Sequence, residues 1–419
     1  MARISSHDFP SRPSAPCARA LPAIAATASA VQNLFIRFVS FRDSPTSSGR
    51  VGLPYVSSLL QSRPVQRFTG QHLGQRPRVA LMANDALGNF AICTPIARAF
   101  HSLYPGLTLD FYGGTRTEEL EVPLVGPDGL FCWRCSAHGA EPSEVFAKGL
   151  ARAHELGGYD LVLNIEAGGL NRALAAAIGS GAHVCGPCLS PDGRKEWDYP
   201  DDSRGDLWRD KEWVSAELVA RYPFLQTGFI AEVFLRLAYV EPLPDAEWPG
   251  GVPKYLFPRD APAIPVPDVL IATGGTLPSK LWPKENWIEL ATRLRAAGLS
   301  VGLLGAPPKR QAAFYHSASD EDALVEAALV ADLRGKLTLP QVVGAVAACR
   351  LLVTIDNGIL HFGAAFDVPT VGLYRPEVQR LWAPPNPNLT KVCPEGGTVA
   401  DLPFDAVWRA VEGRLTSVA

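Results

Sequence analysis

The sequence predicts an α/β protein made of two Rossmann-like, doubly wound domains facing a cleft. Short apolar strands alternate with helical stretches from Arg78 to Cys185, the alternation restarts at Asp268, and a proline-dense stretch separates the two runs. A chain of 419 residues also exceeds what one hydrophobic core usually organises, and 47% hydrophobic with 19% charged residues suits a globular enzyme.

In the first run, residues 79–82 read as a strand, followed by a glycine-containing loop to Asn89 and an apolar helix through Phe100. Residues 108–112, 160–165 and 183–185 read as further strands, and residues 143–156 and 171–178 as helices. Residues 242–267 contain eight prolines, which sustain neither a helix nor a central strand and mark an interdomain linker. Beyond it, residues 268–273, 300–304, 351–355 and 370–373 read as strands, and residues 284–297, 339–348 and 362–366 as helices. The expected division is an N-terminal extension (1–76), a first domain (77–241), the linker (242–267), a second domain (268–395) and a C-terminal helical segment (396–419).

Charge is unevenly spread over these parts. The extension has nine Arg, no Lys and only Asp8 and Asp43, so it carries +7 of a chain total of −3 and leaves −10 on the rest. Its Ser, Pro, Ala and Arg follow no period, which reads as a disordered extension, either a basic tail or an organellar leader. The acidic body argues against general nucleic-acid binding, which needs a basic face for phosphates. No run approaches the ~18 apolar residues that cross a bilayer, so nothing here is expected to span one, and peripheral membrane contact is left open; the expected location is the cytoplasm.

The densest chemistry lies in residues 351–365. A buried strand runs into Asp356-Asn357-Gly358 and a helix, so free N–H groups and the positive end of the helix dipole offer an anion site suited to a diphosphate. His361 lies five residues after Asp356, near the same ligand. The same pattern also fits an ordinary helix cap with His361 packed on the sheet. A second loop, residues 273–283, follows another strand of this half. There Lys280, with Thr276 and Ser279, supplies the cation and hydroxyls that a leaving diphosphate needs.

These two loops carry a resemblance. Ser279-Lys280-Leu281-Trp282-Pro283, and Asp356-Asn357-Gly358 with His361, Ala364 and Ala365, are similar to the signature segments of glycosyltransferase family 9, the ADP-heptose:lipopolysaccharide heptosyltransferases. Asn357 stands where that family has Ser or Thr. The resemblance implies a GT-B fold, acceptor contacts in the first domain around Gly88 and Asn89, donor contacts in the second, and inverting transfer without a catalytic metal. It also implies a nucleotide-sugar donor, with ADP-heptose expected, and a glycan or lipopolysaccharide-type acceptor. One departure matters: the family's catalytic aspartate after the loop glycine is Asn89 here, and an amide cannot accept the acceptor's proton. Asp85 and then Glu166 are the expected substitutes, with Lys280 steadying the departing diphosphate. Should neither carboxylate serve, the chain is a nucleotide-sugar-binding protein on the same scaffold.

Two further features stand apart. Cys132/Cys135 and Cys185/Cys188 are Cys-x-x-Cys pairs that together suit a structural zinc or iron site, unless they are simply buried thiols. Residues 192–213 interleave charges with Trp197, Trp208 and Trp213, a composition that suits either a sugar platform or a solvated loop.

Overall fold

A computed structural model describes residues 65–309 and 318–416. The first half is a six-stranded parallel sheet made of β1 (Gln66–Arg67), β2 (Arg78–Met82), β3 (Thr108–Gly114), β4 (Trp133–His138), β5 (Leu161–Asn164) and β6 (His183–Cys185), in the order β1-β6-β5-β2-β3-β4. Its helices are α1 (Leu87–Leu103), α2 (Glu118–Glu121), α3 (Pro142–Leu156), α4 (Gly169–Ile178), α5 (Ser203–Arg209), α6 (Leu218–Arg221) and α7 (Ile230–Leu237). The second half repeats the plan with β7 (Val269–Ala272), β8 (Val301–Leu303), β9 (Ala331–Asp332), β10 (Leu351–Ile355), β11 (Thr370–Leu373) and β12 (Leu389–Val392), in the order β12-β11-β10-β7-β8-β9. Around it lie α8 (Lys284–Ala296), α9 (Ala318–Glu326), α10 (Leu339–Ala348), α11 (Gly358–Ala365), α12 (Pro376–Trp382) and α13 (Phe404–Thr416).

Strands covered on both faces need continuous apolar runs, and β7, β8 and β10 are buried at every position. The one hydroxyl in β10, Thr354, is satisfied by donating to Ala272 O at 2.9 Å. Strand order reverses between β2 and β5 in the first sheet and between β7 and β10 in the second. In doubly wound sheets ligands bind beyond the carboxyl ends of the strands at that reversal. The loops carrying Asp85, Glu166, Lys280 and Asp356 leave from those four strand ends.

Several expectations are corrected. The extension cannot run to residue 76, because Gln66–Arg67 pairs with β6 as an edge strand. The Arg67 guanidinium lies over the Trp197 and Tyr199 rings and donates to the carbonyls of Gly186, Trp197 and Asp198, which fastens that strand. Asn89 lies inside the first turn of α1 rather than in a loop, and α11 starts at Gly358, four residues earlier than periodicity suggests.

The shared metal site of Cys132, Cys135, Cys185 and Cys188 is excluded by sheet order. Cys135 is on the edge strand β4 and Cys185 on β6, with β3, β2 and β5 between them, a separation of roughly 19 Å at about 4.8 Å per strand. Burial instead pushes the Cys185 thiol up to about 12 and Cys188 to about 11, so both are inert protonated thiols, donating to the Leu237 and Leu189 carbonyls. The tryptophans of residues 192–213 are packing residues: Trp208 stacks on Tyr199 at 5.5 Å, and Trp213 donates to Leu207 O.

Candidate active site

In the second half, Trp282 anchors the loop that carries Lys280. Its ring is buried, stacks on Phe404 at 5.9 Å, meets Trp287 edge-on at 5.1 Å and donates to Leu402 O. Just before it, residues 278–280 make one tight turn, closed by Leu281 N donating to Pro278 O. That turn sets the Lys280 ammonium 2.7 Å from Asp356 Oδ2 and 3.2 Å from Asp356 O. Both side chains are only partly accessible, so the pair is less screened than a surface salt bridge. Thr276 is exposed on the same loop and Ser279 is half-buried beside Lys280.

Asn357 ties the two loops of this half together. Its Oδ1 accepts from Ile359 N at 3.0 Å and so caps α11, while its Nδ2 donates to Ala272 O and Gly274 O at the end of β7. A Ser or Thr can supply the cap but has one proton for two carbonyls, which is a physical role for the amide here. Gly358 follows where no side chain fits: a Cβ there would stand 2.6 Å from Leu87 at the start of α1.

The amino ends of α1 and α11 therefore abut. Neither helix has an acidic residue in its first turn, and no side chain caps α1. Two positive helix ends and Lys280 converge on one mouth between the halves. His361 lies there, buried in α11, with Nδ1 2.9 Å from the Tyr255 hydroxyl. Its Nε2 faces α1: a Cβ on Gly88 would approach it to 3.4 Å. Burial lowers the imidazole to about 4, with the Asp356 charge opposing and Lys280 adding to the shift.

In the first half, the two carboxylates differ. Asp85 Oδ1 pairs with Arg116 at 2.5 Å, and that hydrogen bond outweighs burial to hold the carboxyl below its ordinary value. Glu166 accepts from Asn84 Nδ2 at 2.7 Å and from Gly168 N at 2.9 Å, both neutral donors. Asn89 is half-buried in the first turn of α1, one residue beyond Gly88. Sequence reasoning missed Tyr255, Asn84 and Arg116. Tyr255 sits in the proline-rich linker, where no motif marks it.

Residues 244–402 match the profile of "Glycosyltransferase family 9 (heptosyltransferase)". That stretch, which covers the second half and the segment before it, is similar to a family 9 domain. Lipopolysaccharide heptosyltransferase 2 of Salmonella typhimurium is 36% identical over 99 residues, 24% of this chain and 28% of that protein. Lipopolysaccharide heptosyltransferase 1 of Pseudomonas aeruginosa is 32% identical over 136 residues, 32% of this chain and 36% of that protein. The aligned stretches thus span less than half the length of the curated relatives, from 28% to 44%. The fold likeness is wider. A family 9 glycosyltransferase from Veillonella parvula superposes with a TM-score of 0.64 at 15% identity, covering 83% of this chain and 99% of that one. E. coli ADP-heptose lipopolysaccharide heptosyltransferase II superposes at 0.56 and 18% identity, covering 81% and 99%. The two-sheet fold is GT-B. Among the described residues no helix is long and apolar enough to cross a membrane.

Proposed function

We propose that the chain is an inverting glycosyltransferase that moves a heptose from a nucleotide-diphosphate donor, ADP-heptose, to a lipopolysaccharide-type acceptor. The observation that carries this reading is the convergence of Lys280 and the amino ends of α1 and α11 on one mouth, within a domain matching family 9. A dianionic diphosphate departing there meets an ammonium and oriented N–H groups where its charge develops. Thr276 and Ser279 stand on the same loop to hydrogen-bond it, and Asp356 holds Lys280 in place.

The acceptor proton then goes to a carboxylate of the first half. Asp85 is committed to Arg116, which lowers its proton affinity, whereas Glu166 carries only neutral donors and so takes the base role in this reading. The acceptor oxygen attacks the anomeric carbon opposite the diphosphate, the new glycosidic bond forms as the bond to the diphosphate breaks, and configuration inverts. No metal or cofactor takes part, and the reaction runs in the cytoplasm against a membrane-borne acceptor.

The test is incubation of the full chain with ADP-heptose and a truncated lipopolysaccharide acceptor. Expected are ADP release, a product of opposite anomeric configuration by NMR, and a loss of about 10²–10³ in kcat for Lys280→Ala. Tight donor binding with no turnover on any acceptor would instead identify a nucleotide-sugar-binding protein.

A further inference from the structure

Tyr255 belongs to the segment joining the two halves, yet its side chain reaches the mouth between them. It is 4% exposed, with Trp248 edge-on at 4.7 Å and His361 edge-on at 5.1 Å. Its hydroxyl lies 2.9 Å from His361 Nδ1. Burial keeps the phenol protonated, well above its ordinary range, and keeps the imidazole neutral. Two protons are therefore shared among the phenol oxygen, Nδ1 and Nε2.

Only two arrangements are open. With the imidazole proton on Nδ1, that N–H donates to the phenol and the phenolic proton needs another acceptor; among the described residues its hydroxyl has no other partner. A buried donor left unpaired is destabilising, which disfavours this arrangement. With the phenol donating to Nδ1, the phenolic proton has its acceptor and the imidazole proton lies on Nε2, which is not among the buried unpaired atoms of the described residues. That nitrogen faces Gly88 at the amino end of α1, at the mouth that also holds Lys280 and Asp356.

We propose that Tyr255 is a positioning residue that fixes His361 as the neutral, Nε2-protonated tautomer, presenting a single N–H donor to an acceptor oxygen of the sugar diphosphate. The ligand's identity rests on the transfer reading above; the tautomer does not. One consequence is chemical. A histidine whose Nδ1 lone pair is occupied and whose Nε2 carries hydrogen has no free lone pair, so His361 cannot take the acceptor's proton, and that task stays with a carboxylate.

The test is a long-range ¹⁵N–¹H correlation spectrum of the full chain labelled at histidine, near neutral pH and without substrate, with the His361 signals assigned by their loss in His361→Gln. Expected is a protonated Nε2 and a bare Nδ1 in the wild type, and a mixed tautomer in Tyr255→Phe, which keeps the ring packing. In turnover assays Tyr255→Phe is expected to lower kcat/KM about tenfold and to add nothing in the His361→Gln background, a coupling that a merely structural role does not produce. A protonated Nδ1 in the wild type, or an unchanged tautomer in Tyr255→Phe, overturns the proposal. Should Tyr255→Phe not fold, the wild-type spectrum decides alone. An Nε2-protonated spectrum from a chain with no turnover would remove the transfer reading and leave the tautomer assignment standing.

Discussion

Asp85 and Glu166 leave neighbouring strands at the carboxyl edge of the first sheet, and both could stand in for the carboxylate that Asn89 lacks. Their partners separate them. A guanidinium 2.5 Å from Asp85 stabilises its charged form and makes it a poor proton acceptor, whereas the amide of Asn84 and the N–H of Gly168 orient Glu166 without adding positive charge. Glu166→Gln should lower kcat by about 10²–10⁴, and Asp85→Asn by less than tenfold, since its main effect is to remove the Asp85–Arg116 ion pair. Steady-state kinetics on both variants checks this; a larger kcat loss in Asp85→Asn returns the base role to Asp85. The two candidates were legible in the sequence as carboxylates at strand ends, but their ranking was not. It depends on Arg116, 31 residues from Asp85, and on Asn84, whose amide meets Glu166 across 82 residues. No local pattern encodes such long-range pairs.

At the scale of elements, the strand, turn and helix around Asn357 show what periodicity reveals and what it hides. The run of five buried residues in β10 was plain from composition, as was the anion-binding turn after it. Periodicity alone hides the early start of α11, placing it at residue 362, whereas the cap reading of the Asp-Asn-Gly turn already points to it, and the Asn357 side chain does cap Ile359 N. Strands β1 and β4 were hidden for other reasons: β1 is two residues long, and β4 is an edge strand of sequence WRCSAH with no apolar run. The cap and the cross-loop tie of Asn357 can be separated. Asn357→Ser should keep the cap and lose the bonds to Ala272 O and Gly274 O, lowering stability by about 1–2 kcal/mol. Asn357→Ala should cost about 1 kcal/mol more by losing the cap as well. Urea unfolding of the three proteins measures both steps; equal midpoints for the Ser and Ala variants would show that the cap contributes nothing.

At the scale of the whole molecule, the proposed function asks a body of net charge −10 to hold a diphosphate, so on that reading affinity depends on keeping Lys280 and the two helix ends together at one mouth. That arrangement exists only while the halves are docked. Away from the mouth, Glu119 of the first half accepts from Leu339 N at the start of α10 at 2.7 Å. More extensively, Arg380 of α12 reaches into the first half and donates to Gly228 O at 2.9 Å, to Ser215 O at 2.8 Å and to Trp213 O. Gly228 has φ of +67°, and a Cβ there would lie 2.1 Å from the guanidinium, so the contact requires glycine. One planar cation thus fastens two stretches of the first half, at residues 213–215 and at residue 228, to the second. Arg380→Ala leaves three carbonyls without their donor and should lower stability by about 2–4 kcal/mol. Arg380→Lys should recover little of this, because a point ammonium cannot span three carbonyls as the guanidinium fork does. Hydrogen exchange should rise in residues 213–228 of both variants, and KM for the donor should rise as docking loosens. If exchange in that loop stays at the wild-type rate while stability falls, Arg380 is packing α12 within its own half, and the docking of the halves rests on other contacts such as α1–α11 and Glu119–Leu339.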